Sequence, residues 1–380
     1  MIRHALAASA ALAFATPLAA QEVTMSPVEA MAGYYDALAE QVTLPVAPPG
    51  VPLDESMTLT HFAFGSCNHQ SRGQHMWAQI LAKNPQLFML IGDNVYGDTN
   101  WDGDAGLGTL RAAYAEQSAH PEFQAFRAAV PMLTTWDDHD YGFNDGGGDF
   151  AFKGWAETIY ETYWGVSEAV RAGPGIYESR MIGPEGRRVQ VILLDTRYFR
   201  SDLARMPWSE DRPVLGPYVP EDSPKATMLG AAQWKWLKGE LARPADLRIL
   251  VSSIQIITEA HDYESWENMP RERERLLEML SAREDSGLLL LTGDRHAGGI
   301  YTTKHGGETF WELTSSSLNL AFNDTASNTA REPDPMRITD LISEENFATI
   351  DIDWEAEALR LRLLGNQGET RAERTVNWGG

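Results

Sequence analysis

Cysteine is almost missing from this chain: Cys67 is the only one in 380 residues. An internal disulfide is therefore excluded, and the fold must rest on its apolar core. Basic residues are also scarce, with 31 Lys and Arg against 54 Asp and Glu and a formal net charge of -23. That balance excludes readers of the nucleic-acid backbone, which need basic patches, so no nucleic acid is expected as a partner. Beyond the first twenty residues no apolar run reaches the length of a bilayer, and no stable membrane anchor is expected. Internal repeats and low-complexity tails are absent as well.

The first twenty residues read as a secretory signal. Arg3 and His4 give a basic start, residues 5–15 a short apolar stretch, and Pro17-Leu18-Ala19-Ala20-Gln21 small residues for cleavage. With no cysteine near that point, lipid attachment there is excluded. The expected organisation is a signal peptide over 1–20, a lead-in over 21–55, a catalytic domain over 56–370 and a C-terminal tail over 371–380. A mature protein that is periplasmic or secreted follows from it.

Strand-like runs alternate with helical patterns along the rest. Strands are expected at 59–64, 87–91, 132–136, 189–194, 249–254 and 288–292, with a closing hairpin from 347–354 and 358–364. Helices are expected over 25–41, 74–82, 123–129, 152–164, 229–241 and 271–282. The alternation predicts an α/β or layered α+β domain. Residues 142–148 read as a flexible acidic loop, and 201–225 and 320–345 as long surface loops.

Four apolar runs end in ligand-like residues: Gly65-Ser66-Cys67, Gly92-Asp93-Asn94-Val95-Tyr96, Asp137-Asp138-His139-Asp140 and Gly293-Asp294-Arg295-His296. The carboxyl end of a strand is where an α/β sheet places its ligands. A thiol, several carboxylates and imidazoles meeting there imply metal chemistry. Asp93 follows its strand directly, so its carboxylate can bridge two ions. Tyr96 can turn back toward the same centre as a phenolate, or simply pack. Three carboxylates beside His139 cannot all be buried charged without a cation. One of them can ligate, and His139 can stand over a substrate as acid or oxyanion partner. On an extended strand end Asp294 and His296 face one way and Arg295 the other. Arg197, in Asp195-Thr196-Arg197, can clasp a phosphate through two parallel hydrogen bonds, with a salt bridge to Asp195 or a neighbouring loop as the competing account. An acidic protein can still take a phosphorylated substrate, because a bound metal reverses the local field.

Read together, these motifs resemble the PhoD-like (alkaline phosphatase D) metallophosphatases over roughly residues 58–365. Leu194-Asp195-Thr196-Arg197-Tyr198-Phe199-Arg200, Leu229 to Trp234, Ser253-Ile254-Gln255 and Trp266 to Arg271 add to the likeness. The resemblance implies a four-layer αββα metallophosphoesterase sandwich with one catalytic domain. It implies hydrolysis of phosphomonoesters or phosphodiesters outside the cytoplasm, using iron with calcium. By motif, Cys67, Asp93, Tyr96 and His296 would hold the iron-like centre. Asp93 would bridge to a second centre completed by Asp138 and Asp294. His139 would be catalytic, Arg197 a substrate-binding residue, and Gln255 occupies a position that is a ligand in other metallophosphoesterases. Two departures stand out: too few residues precede the first motif for the additional amino-terminal β domain of better-known members, and Arg3 is followed by His4 rather than a second arginine. The latter favours export before metal loading and leaves zinc and manganese open. Two rival readings are a phospholipase D-like phosphodiesterase on lipid or cell-wall diesters and a metal-independent glycoside hydrolase using the Asp137–Asp140 carboxylates. A third is a binding module that holds phosphate or metal without turnover.

Overall fold

The computed structural model describes residues 25–207, 215–283 and 287–378. The expected signal peptide over 1–20 lies outside them. Twelve strands are found among the described residues: β1 (His61–Gly65), β2 (Phe88–Ile91), β3 (Met132–Thr135), β4 (Glu178–Ile182), β5 (Val189–Leu193), β6 (Leu247–Ser252), β7 (Gly287–Thr292), β8 (Gly298–His305), β9 (Glu308–Ser315), β10 (Asn346–Asp353), β11 (Ala358–Gly365) and β12 (Thr370–Asn377). They form two six-stranded sheets, ordered β12-β11-β10-β1-β2-β3 and β4-β5-β6-β7-β9-β8. In the first sheet β1, β2 and β3 run parallel, and in the second β5, β6, β7 and β9 do. Their carboxyl ends therefore lie along one edge of each sheet.

The sheets face each other across a dry core. Phe62, Phe64, Met89 and Ile91 of the first sheet meet Val191, Ile249, Leu289 and Leu291 of the second in one buried cluster. Each such side chain contributes roughly 1.5–3 kcal/mol on burial. The outer face of the first sheet is covered by helices Met76–Leu81 and Pro121–Arg127, through Trp77, Phe123 and Phe126 against Phe88. The outer face of the second is covered by Gly230–Leu241 and Pro270–Ser281, through Trp234, Leu237, Leu276 and Leu280. The result is the four-layer αββα arrangement expected from the sequence. A further aromatic cluster, including Trp136, Tyr141, Trp155 and Tyr160, packs around the end of β3.

The core strands and the 347–364 hairpin stand close to their expected places. β4, β8, β9 and β12 carried no strand expectation. β12 fully buries only Val376 and β4 only Ile182, since both are edge strands with polar sequences. The stretch set aside as a tail from residue 371 thus pairs with β11 instead of trailing away. β8 and β9 did leave a signal, because Gly306-Gly307, at φ 59° and 86°, closes their hairpin. The polar stretch 320–345 contains a helix, Thr325–Arg331, and is not all loop. The acidic loop 142–148 is tied down rather than loose. The Asp145 amide donates to Asp138 Oδ2 at 2.8 Å, the Gly148 amide to the Arg200 carbonyl at 2.7 Å, and the Tyr141 hydroxyl to the Gly147 carbonyl at 2.9 Å.

Candidate metal centre

Four loops at the carboxyl ends of β1, β2, β3 and β7 meet between the two sheets. Each turns sharply as its strand stops. Cys67, Asp93, Asp294 and His296 all sit in the left-handed region, at φ 59°, 47°, 67° and 50°. Non-glycine residues adopt this conformation at a cost, and such strain concentrates at functional sites. Gly92, at φ 113°, lets the Asp93 loop lie directly against the next one, for a Cβ there would stand 2.7 Å from Asp137 Cβ.

Asp93 is the hub. Its Oδ2 accepts a hydrogen bond from the Tyr96 hydroxyl at 3.0 Å and stands 3.4 Å from Cys67 Sγ. The Tyr96 oxygen is 2.9 Å from His296 Nε2. Asp93 Oδ1 receives the His139 amide at 3.4 Å. Ligand-capable atoms converge in four sets: Cys67, Asp93 and His296; Asp93, Asp138 and His139; Asp93, Asp137, Asp138 and Asp294; and Asp138, Asp145 and Glu264. Within each set the atoms lie within 4.8 Å of one another. All six residues expected as metal ligands are thereby brought together, with Tyr96 joined through its bonds to Asp93 and His296.

The route by which Asp294 and His296 converge differs from the expected one. They do not share one face of an extended strand end, because the backbone has already left the strand after Gly293. The left-handed turn sends His296 to the Cys67 set and Asp294 to the all-carboxylate set, while Arg295 points away into an ion pair with Glu332.

Asp137–Asp140 is not a solvated turn, for Asp137, Asp138 and Asp140 are buried. Asp140 caps the one-turn helix Asp138–Tyr141, its Oδ1 accepting from the Asp137 amide at 2.6 Å. Asp137 Oδ1 accepts from Arg197 Nε at 2.6 Å and from the Ser253 hydroxyl at 2.7 Å. Its other oxygen, Oδ2, is buried without a hydrogen-bond partner among the described residues. An unpartnered carboxylate oxygen inside a cluster of ligand-capable groups fits a cation.

Arg197, expected as a phosphate clamp, is fully buried and committed elsewhere. Its guanidinium pairs with Asp137 and, through Nη1, with Glu264 at 2.5 Å. The Asp195 carboxylate shapes that turn by accepting from the Arg197 and Tyr198 amides, each at 2.9 Å. Gln255 is likewise engaged, with Thr314 and His261 at 3.0 Å each. Two participants had no individual expectation. Asp98 Oδ1 holds His139 Nδ1 at 2.6 Å, and Glu264 closes the fourth ligand set. Asp98 lies two residues past Tyr96 and was the more findable. Glu264 comes from a loop of the second sheet with no local signature.

The electrostatics follow from crowding. Burial pushes the Asp93 carboxyl well up; His139 opposes this, and Asp138, Asp137 and Asp140 add to it. Burial, then Asp137 and Asp138, do the same to Asp294. Burial raises Asp137 to about 7 despite Arg197. Burial also raises the Cys67 thiol and the Tyr96 phenol, and the Asp93 charge adds to both. For Asp138, burial is outweighed by His139 and Arg197, which hold it well below the usual range. Burial disfavours the charged form of His139, yet Asp138, Asp93 and Asp98 carry it up to about 11. Burial and the His139 charge bring His296 down to about 4, so its imidazole is neutral and able to ligate. Bound cations reverse this pressure by favouring the deprotonated thiol, phenol and carboxylates.

A pH prediction follows. The raised carboxyls make the metal-free fold hold protons that the unfolded chain has released. The stability this gives is complete below about pH 4 and is lost as pH climbs through the folded values, Asp137 titrating at about 7. Calorimetry in chelator should show the melting temperature falling from about pH 4 to 7, with the slope removed by metal. A chelated protein that gains stability over that interval contradicts the crowding.

Two stacked sheets whose strand ends share one carboxylate among several groups able to hold a cation define a layered metallophosphatase-type fold. The chain belongs to the PhoD-like phosphatase family, whose model matches residues 62–145 and 170–363. It is 26% identical over 320 residues to alkaline phosphatase D of Bacillus subtilis (strain 168), an alignment covering 75% of this chain and 50% of that protein. The chain thus spans about half the length of that curated relative. The solved structure of PhoD superposes with a TM-score of 0.63 at 20% identity, covering 88% of this chain and 70% of that one, and supports the fold.

Proposed function

We propose that this protein is a metal-dependent phosphoesterase that hydrolyses phosphomonoesters or phosphodiesters outside the cytoplasm. The observation that carries the reading is Asp93, shared between a set containing a thiol and an imidazole and a set made of carboxylates alone. Those two donor chemistries suit two different ions. Thiolate, phenolate and imidazole from Cys67, Tyr96 and His296 suit a transition metal such as iron. Oxygen-only ligation from Asp137, Asp138 and Asp294, with Asp93 between, suits calcium. A metal-independent glycosidase has no use for a thiol, a phenol and an imidazole packed on one carboxylate. A metal centre held there supplies Lewis acidity toward a phosphoryl oxygen and acidifies water.

The chain's own residues supply orientation and a proton. Asp98 fixes the His139 ring through Nδ1, and the ring lies against Tyr96 with centroids 4.2 Å apart. Nε2 is then the nitrogen left to donate. A protonated imidazole so held can protonate the departing ester oxygen. Arg197 and Ser253 aim Asp137 by hydrogen bonding its Oδ1, without touching the substrate. Among the described residues no helix is long and apolar enough to cross a membrane. The reading of export rests on the expected signal segment over residues 1–20.

The test is to purify the protein, measure its metals, and assay a chromogenic monoester and diester. Strong chelation should abolish turnover. His139→Ala should lower kcat by about 10²–10⁴-fold while metal content stays at the wild-type level. Turnover that survives both treatments removes the mechanism.

A further inference from the structure

One cavity beside the metal centre is unexplained by the reading above. It has a volume of about 330 Å³ and is lined by Tyr263, Arg295, Phe322, Asn328, Arg331 and Glu332 among others. That size suits a small organic group. Phe322 is 52% exposed and Tyr263 37% exposed. An exposed aromatic by itself needs no explanation, but these two flank one guanidinium. Arg295 stands 4.6 Å from the Tyr263 ring and 5.9 Å from the Phe322 ring. Arg295 is itself 5% exposed, and its Nη2 edge is committed to Glu332, a carboxylate shared with Arg337. With that edge engaged, Arg295 offers the cavity a flat face in place of a phosphate clamp.

The cavity adjoins the centre directly. The Phe322 ring lies 5.2 Å from the His296 ring, tilted by 60°, and the Phe322 amide donates to the His296 carbonyl at 3.4 Å. His296 belongs to the Cys67–Asp93 ligand set. An ester whose phosphoryl group sits at that set has Phe322 within reach of its organic group.

The geometry points to a subsite for a planar aromatic group, aryl or nucleobase, on the alcohol of the phosphate ester, with Phe322 as the stacking platform and Tyr263 in the same lining. This rests on the phosphoesterase reading and adds a substrate class to it. Stacking of a base on an aromatic side chain is worth roughly a five- to hundredfold effect.

Adenosine 5′-monophosphate and glycerol 3-phosphate test it, because both release a primary alcohol and only one carries a ring. Phe322→Ala should lower kcat/KM for the nucleotide by roughly five- to hundredfold relative to glycerol 3-phosphate, and Phe322→Trp should restore the preference. Equal losses on both esters would make Phe322 only a prop for His296 and overturn the proposal, as would an unchanged ratio. If the metal-loaded wild type hydrolyses neither of these monoesters nor the chromogenic diester, it is the phosphoesterase reading that fails. Calorimetric binding of the same two compounds then decides the subsite: a preference for the nucleotide that Phe322→Ala abolishes supports it, and equal binding overturns it.

Discussion

Asp93→Asn is expected to empty the centre and abolish activity while leaving the fold intact. Asp93 is shared by the Cys67–His296 set and the all-carboxylate set, so one substitution weakens both. Asparagine keeps the shape, and its carbonyl can still accept from the Tyr96 hydroxyl. It removes the charge and the second anionic oxygen that a shared ligand needs. Metal content should fall at both the Cys67–His296 side and the carboxylate side, and kcat/KM by at least about 10³-fold, some 4 kcal/mol of transition-state stabilisation. The same substitution should not destabilise the metal-free protein. Burial and the surrounding Asp residues push the Asp93 carboxyl up, so its charge is unfavourable when no cation is present. In chelator, Asp93→Asn should melt no lower than wild type near neutral pH. Elemental analysis, kinetics and calorimetry check the three parts. A variant with full metal content and wild-type kcat/KM would falsify the shared-ligand role.

Arg197→Ala is expected to cost stability first and activity second. The Arg197 side chain is wholly buried and lies between Asp137 and Glu264, each about 1% exposed. Arg200 also reaches Glu264, at 2.8 Å, but does not reach Asp137. Removing Arg197 strips Asp137 and Glu264 of the buried guanidinium between them, beside Asp138 and Asp294. Breaking a buried pair this way costs about 3–5 kcal/mol. For a chain of this size that corresponds to a fall in melting temperature of roughly 4–6 °C. Arg197→Lys should recover only part of it, because an ammonium cannot address Asp137 and Glu264 through a planar fork. A substrate-clamping arginine behaves differently, raising KM and leaving the melt unchanged. Thermal melts of the metal-loaded variants beside KM separate the two roles.

The contrast between these two residues shows where sequence was readable. Asp93 follows an apolar strand within two residues, and a strand end announces itself by a run of hydrophobic residues that stops. Cys67, Asp138, Asp294 and His296 were visible for the same reason. Arg197 also follows a strand, yet its partner Asp137 is 60 positions away and Glu264 sits on another loop. Nothing local distinguishes a guanidinium that meets a substrate from one that meets two buried carboxylates. His139 and Asp98 pose the same difficulty across 41 positions. Edge strands β4 and β12 were missed because an edge buries few side chains and so leaves little hydrophobic pattern.

By itself the sequence determined the layered α/β architecture, the strand ends that carry ligand-capable residues and the family resemblance, because each is written in short-range periodicity and punctuation. The tertiary structure decided that Arg197 holds Asp137 rather than a phosphate, that Glu264 and Asp98 join the site, and that two aromatic rings line a cavity beside His296. Those outcomes depend on which loops the two sheets bring face to face once the core between them is buried, and distances across that junction are set by packing rather than by chain order.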